Sequence, residues 1–104
     1  QLRKLGNEGG HTVIRAGFSE LGPGAWLKPH HGMTNAQLKM HLGLIVPRGE
    51  CANFRVGNET RPWREGKVAV FDDSFEHEAW NRCKSKRVVF QVVFAHPELV
   101  SRES

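Results

Sequence analysis

Turn-forming residues interrupt this chain so often that no long regular element fits between them, and this punctuation limits the fold more than any other feature. Clusters such as Gly22-Pro23-Gly24, Pro47-Arg48-Gly49 and Gly57-Asn58 set a spacing of about eight to twelve residues, the rhythm of short strands joined by turns. The apolar runs between them predict strands over 12–18, 37–46, 52–56, 67–71, 75–81 and 87–94. No segment sustains a helical period. Many short strands with turn chemistry at their ends imply an all-β sandwich or barrel, and 104 residues suffice for one hydrophobic core but not two.

Alternation along the predicted strands sharpens this reading, because successive side chains point to opposite faces of a sheet. Over 37–46, one face carries Lys39, His41, Gly43 and Ile45, and the other Leu38, Met40, Leu42, Leu44 and Val46. Over 87–94, Arg87, Val89, Gln91 and Val93 oppose Val88, Phe90, Val92 and Phe94. Strands apolar on both faces are strands covered on both sides. The apolar stripe Leu38, Met40, Leu42 and Leu44 therefore calls for a cover, and the absence of an amphipathic helix implies that a flanking segment or partner supplies it. Arg87, at the mouth of an apolar face, is a natural anchor for a small anion.

Composition excludes several classes of function. The hydrophobic fraction of 38% and charged fraction of 25% are those of a globular domain rather than a disordered segment. The net charge of +4 comes from scattered Lys and Arg, so no nucleic-acid partner is expected. No apolar stretch of membrane-spanning length and no signal-peptide pattern occurs, so the chain reads as soluble, with any membrane contact made through segments outside it. It begins at Gln1, as a piece cut from a longer protein would. Cys51 and Cys83 lack the paired spacing of a zinc site; the ordinary reading is two reduced thiols, with a disulfide between them left open.

Six histidines are the richest source of chemistry: His11, His30, His31, His41, His77 and His96. His30 follows Pro29 beyond a Pro-Gly turn, and His77 lies in a predicted strand entered through Asp72-Asp73-Ser74. Two neutral imidazoles from different strands suit Fe(II) and leave positions open for substrate and oxygen. Sites of this type usually add a carboxylate two residues after the first histidine, where this chain has Gly32.

At this point the chain resembles a known family. Pro29-His30-His31-Gly32-Met33-Thr34-Asn35, His41-Leu42-Gly43-Leu44, Glu65-Gly66-Lys67, Phe71-Asp72-Asp73-Ser74-Phe75-Glu76-His77-Glu78-Ala79-Trp80 and His96-Pro97-Glu98-Leu99 are similar, in order, to the aspartyl/asparaginyl β-hydroxylases. The resemblance implies a double-stranded β-helix (a cupin-like jelly roll) that lacks N-terminal flanking elements, with a lead-in over 1–10, a core over 11–100 and a tail over 101–104. It implies an Fe(II)- and 2-oxoglutarate-dependent dioxygenase in which His30 and His77 bind iron and Gly32 is the expected residue. It further implies that Arg87 and Ser19 grip the distal carboxylate of 2-oxoglutarate, while His41 and Lys39 meet the carboxylate that chelates iron. With O₂ and 2-oxoglutarate as partners, the implied substrate is the β-carbon of an Asp or Asn side chain in a protein, or a lipid acyl chain.

The chemistry of the co-substrate makes the same demand independently, since a dianion needs a buried cation and a planar guanidinium grips a carboxylate with two hydrogen bonds. Lys39 departs from the resembling family, which generally has Arg there. A lone ammonium gives up one charge-assisted hydrogen bond of roughly 1.5–3 kcal/mol, or about tenfold or more in affinity. A relative that binds metal and co-substrate without turnover is thus the rival reading, and a purely structural barrel the second.

Other residues read more plainly. Asp72 and Asp73 read as turn caps, or as carboxylates that hydrogen-bond and orient a ligand imidazole, rather than as a glycosidase pair. His31 reads as solvent-facing, Trp26, Trp63 and Trp80 as core or rim packing, and His11 and His96 carry no argument for ligation.

Overall fold

The computed structural model describes residues 13–32 and 37–95. The domain limits expected at 10 and 100, together with His11, Met33, Thr34, Asn35 and the His96-Pro97-Glu98-Leu99 motif, lie outside the described residues.

Eight strands follow one another: β1 (Val13–Leu21), β2 (Trp26–His30), β3 (Gln37–Ile45), β4 (Ala52–Val56), β5 (Glu59–Pro62), β6 (Val68–Asp72), β7 (His77–Asn81) and β8 (Arg87–Ala95). They form two four-stranded antiparallel sheets, ordered β1-β8-β3-β6 and β2-β7-β4-β5. Consecutive strands thus alternate largely between sheets, which is the double-stranded β-helix expected from the sequence.

Two of the four edge strands, β2 and β5, escape the apolar pattern. In β2 every residue is exposed and Pro29 interrupts the run, with a register shift between Leu27 and His30. The polar β5 ends on Pro62. Proline cannot donate to a ladder and is tolerated where one side of the strand has no neighbour. The hairpin joining β4 to β5 turns at Gly57, whose φ of 58° is the positive value that a tight two-residue hairpin demands at its first position.

The predicted alternation holds through most of β3 and β8. Val89, Val93, Arg87 and His41 are buried on the inner faces. The main core packs Leu21, Ala52, Phe54, Trp63, Ala79, Cys83 and Val89 between the sheets. Alternation breaks near the end of β3, where the register shifts between Gly43 and Ile45. Ile45 is consequently exposed, whereas Val46, expected outside, packs against the core. On the outer face of the first sheet, Met40 is buried with Val92 and Phe94, while Leu38, Leu42 and Phe90 are partly buried around them. Leu44 stays exposed there, as do Phe18, Val68 and Val70.

The reading of Cys51 and Cys83 as reduced thiols is corrected: they form a disulfide with Cα atoms 5.1 Å apart. The reason is topological. Sheet pairing sets Ala52 opposite Asn81, so residues 32 apart in sequence meet just beyond the paired ends of β4 and β7. Cysteine spacing alone holds no trace of that neighbour relation.

Candidate active site

His30 ends β2 and His77 opens β7, and the ladder places them directly opposite each other. Their rings approach edge to face, with centroids 4.3 Å apart. Each ring is oriented by its own local backbone: His30 Nδ1–H donates to Lys28 O at 2.7 Å, and His77 Nδ1–H to Phe75 O at 2.8 Å. A carbonyl can only accept, so both rings carry a proton on Nδ1, and in its neutral form each leaves the lone pair on Nε2. That is the tautomer in which an imidazole ligates a metal while its other nitrogen is held by a carbonyl. Burial lowers the pKa of His77 and so favours its neutral form, against the opposing pull of the Phe75 hydrogen bond.

Asp73 is the residue that sequence reasoning left unresolved. Asp72 behaves as a turn cap, its Oδ1 accepting from Ser74 N at 2.9 Å and Ser74 Oγ at 2.7 Å. Asp73 instead turns inward and is 3% exposed. Its Oδ1 lies 3.3 Å from His77 Nε2 and 3.2 Å from Lys39 Nζ, yet neither Oδ1 nor His77 Nε2 has a hydrogen-bond partner. The Lys39 ammonium offsets the charge of this buried carboxylate, while His77 Nε2 is left with no hydrogen-bond partner of its own. A Cβ on Gly32 would collide with Asp73 Oδ2 and Cγ, so the Asp73 carboxylate fills the space that a side chain at 32 would take. The signal in the sequence is Asp73 standing four residues before His77 in a pair where only one aspartate is needed as cap.

Among the described residues, no three His, Cys, Asp or Glu side chains gather closely enough to hold a metal as a group. The donor set is therefore the two imidazoles, with Asp73 beside them. This set fits a divalent transition metal: two imidazoles whose Nδ1 sides are held by carbonyls, a buried His77 Nε2 without a partner, and a glycine where a third ligand would project.

From His77 a line of ring contacts crosses the interior. His77 packs on Phe71 (5.5 Å), Phe71 on His41 (5.4 Å) and His41 on Trp63 (6.0 Å). At its far end the Arg87 guanidinium lies 4.2 Å from the centre of the Trp63 ring. Arg87 is only 2% exposed. Its Nη2 donates to Ser19 O and Oγ, both at 3.0 Å, its Nε has no partner, and burial pushes its pKa down to about 10. Among the described residues no carboxylate pairs with it. His41 is likewise buried, and desolvation above all lowers its pKa to about 4.

The structure thus brings His30 and His77 together, and Arg87 to Ser19. It places Lys39 against Asp73. His31 is exposed, with Nδ1–H donating to Ser74 O at 3.2 Å, as its solvent-facing reading requires. Trp26 is exposed and donates to Glu78, whereas Trp63 sits in the core. A cleft of about 670 Å³ opens along the seam between β5 and β6, lined by Trp63 and Phe71 among others but by none of the six candidate site residues.

With that geometry in place, comparison with known proteins decides the family. The model of the aspartyl/asparaginyl beta-hydroxylase family matches residues 2–97. The chain belongs to that family. It is similar to the mouse aspartyl/asparaginyl beta-hydroxylase, 50% identical over 86 residues that cover 83% of this chain and 12% of the mouse protein. It is also similar to the ornithine lipid ester-linked acyl 2-hydroxylase of Rhizobium tropici, 47% identical over 86 residues that cover 82% of this chain and 31% of that enzyme. The chain therefore spans under a third of either relative. Solved structures agree on the fold. A predicted oxalate decarboxylase from Thermotoga maritima superposes with a TM-score of 0.65 at 16% identity, covering 80% of this chain and 67% of that one. A cupin 2 conserved barrel domain protein from Salinispora arenicola gives 0.58 at 14% identity, covering 88% and 79%. This member of the aspartyl/asparaginyl beta-hydroxylase family is a cupin-type double-stranded β-helix.

Proposed function

We propose that this chain is the Fe(II)- and 2-oxoglutarate-binding core of a dioxygenase that hydroxylates the β-carbon of an Asp or Asn side chain in a protein. The acyl chain of a lipid is the alternative substrate. The observation that carries the proposal is Arg87: a guanidinium 2% exposed, without a carboxylate, at the inner end of the ring line that starts at the paired histidines. A buried cation without a counter-charge is costly, and a dianionic co-substrate supplies the missing charge on binding.

In this reading His30 and His77 would hold Fe(II) through Nε2, and the buried Asp73 carboxylate, 3.3 Å from His77 Nε2, would line the same place. The bound metal supplies the activation of O₂, by which 2-oxoglutarate becomes succinate and CO₂ while a substrate C–H becomes C–OH. Arg87 and Ser19 hold the distal carboxylate of the co-substrate. His41, neutral at physiological pH, donates a hydrogen bond to the carboxylate nearer the metal, and Lys39 offers its ammonium to the same end. The protein's share is binding, orientation and the exclusion of water. Support for the substrate classes comes from the mouse relative, named for aspartyl and asparaginyl residues, and from the Rhizobium relative, named for an acyl chain.

One observation favours a second reading, of a relative that binds without turnover: Lys39 is drawn to Asp73 rather than freed for the co-substrate. Succinate release with Fe(II), ascorbate, 2-oxoglutarate and candidate substrates tests the enzyme. Succinate above the level of a His30→Ala/His77→Ala variant is the expected result. Binding of 2-oxoglutarate by the metal-loaded protein with no succinate would favour the binding module.

A further inference from the structure

Trp63 was read from the sequence as packing, but its position gives it two further tasks. Its indole Nε1–H donates to His41 Nδ1 at 3.1 Å, a buried contact. Indole nitrogen is a donor only, so His41 Nδ1 must be the unprotonated nitrogen and Nε2 must carry the hydrogen. The far side of the ring agrees: His41 Nε2 lies 2.8 Å from Gln91 Oε1, an acceptor that takes that hydrogen. The same indole ring lies 4.2 Å beneath the Arg87 guanidinium, which a π face attracts and fixes in plane. His41 is thus in the opposite tautomer from His30 and His77, whose Nδ1–H groups are held by carbonyls. Two rings are set to give a lone pair, and one to give a hydrogen.

We propose that Trp63 is the positioning residue of the co-substrate site, fixing His41 as an Nε2–H donor and seating Arg87, and that Gln91 holds the His41 hydrogen until a carboxylate takes it. This rests on the reading of His41 and Arg87 as the carboxylate anchors. It carries a consequence of opposite sign at the two partners of His41. Removing the indole N–H loosens the donor tautomer and weakens co-substrate binding. Removing the Gln91 acceptor frees the same hydrogen and strengthens it. Burial also keeps the His41 ring neutral, with a pKa of about 4, so the tautomer and not the charge is what Trp63 selects.

The test combines a tautomer readout with an affinity readout. In protein labelled with ¹⁵N-histidine, the His41 ring should show Nε2 protonated and Nδ1 bare. In Trp63→Phe, which keeps an aromatic face under Arg87, that preference should weaken or reverse. Calorimetry with 2-oxoglutarate on Zn(II)-loaded protein should give weaker binding for Trp63→Phe, by about fivefold, and tighter binding for Gln91→Leu by a similar factor, one neutral hydrogen bond each. Where Trp63→Phe fails to fold, Gln91→Leu alone decides through the direction of its change. A wild-type ring protonated at Nδ1, an unchanged tautomer in Trp63→Phe, or weaker binding in Gln91→Leu would each overturn the proposal. Absence of succinate from every variant counts against the oxygenase reading alone, since the tautomer measurement needs no turnover.

Discussion

At the scale of single residues, charge and crowding settle most roles. Arg87 carries the anion-binding argument, so Arg87→Lys, which keeps the charge but gives up the fork, should weaken 2-oxoglutarate binding about tenfold by calorimetry on metal-loaded protein. Gly32 is required by a neighbour rather than by its own backbone: a Cβ there meets Asp73. Gly32→Ala should therefore cost about 1–3 kcal/mol in urea unfolding, and supplying a carboxylate at 32 should not create a third ligand while Asp73 occupies the space. His41 gives a pH dependence. Its folded pKa is lowered from 6.5 to about 4 by burial, so as pH falls the unfolded chain takes up the proton first. Stability should be full above about pH 6.5 and decline between there and pH 4, by about 3 kcal/mol at most from this residue. His77, also lowered by burial, adds to the same slope. Unfolding free energies measured at stepped pH should therefore fall across that window, less steeply in His41→Asn. The histidine pair and Arg87 were legible in the sequence because their motif and their strand setting agreed. Asp73 was legible only in part, because which of two adjacent aspartates turns inward is decided by Ser74 hydrogen bonding to Asp72, a contact no spacing rule contains.

At the scale of strands, reading found β1, β3, β4, β6, β7 and β8 and missed β2 and β5. β3, β4 and β8 announce themselves by apolar runs; β2 and β5 are exposed, polar and contain proline, so their pairing with β7 and β4 is imposed by the rest of the sheet. The same blindness to neighbours hid the disulfide. It ties the segment before β4 to the loop after β7, where Asn81, fully buried, donates to Leu21 O at 2.8 Å and Ser85 O at 3.0 Å and accepts from Cys83 N. That loop leads directly into Arg87. A cross-link closing a loop of 32 residues contributes about 3–4 kcal/mol by restricting the unfolded chain. Reduction, or Cys51→Ser/Cys83→Ser, should lower the unfolding free energy by about that amount, and denaturation with and without reductant measures it.

At the scale of the whole molecule, both sheets contribute to one line of polar groups and rings through the interior. One end of the ring line gathers His30, His77, Asp73 and Lys39, and the other seats Arg87 against Ser19. The outer face of the first sheet keeps Phe18, Val68 and Val70 exposed while Met40, Val92 and Phe94 on the same face are buried, so that face is covered only in part. The central claim is that the two Nε2 lone pairs converge on one metal. Crystals soaked with Mn(II) and 2-oxoglutarate, measured by anomalous scattering, test it most directly. A single peak bonded to Nε2 of both His30 and His77, with the co-substrate reaching from it to Arg87, is the predicted result. A metal held elsewhere, or no peak between those rings at saturating Mn(II), would contradict the account.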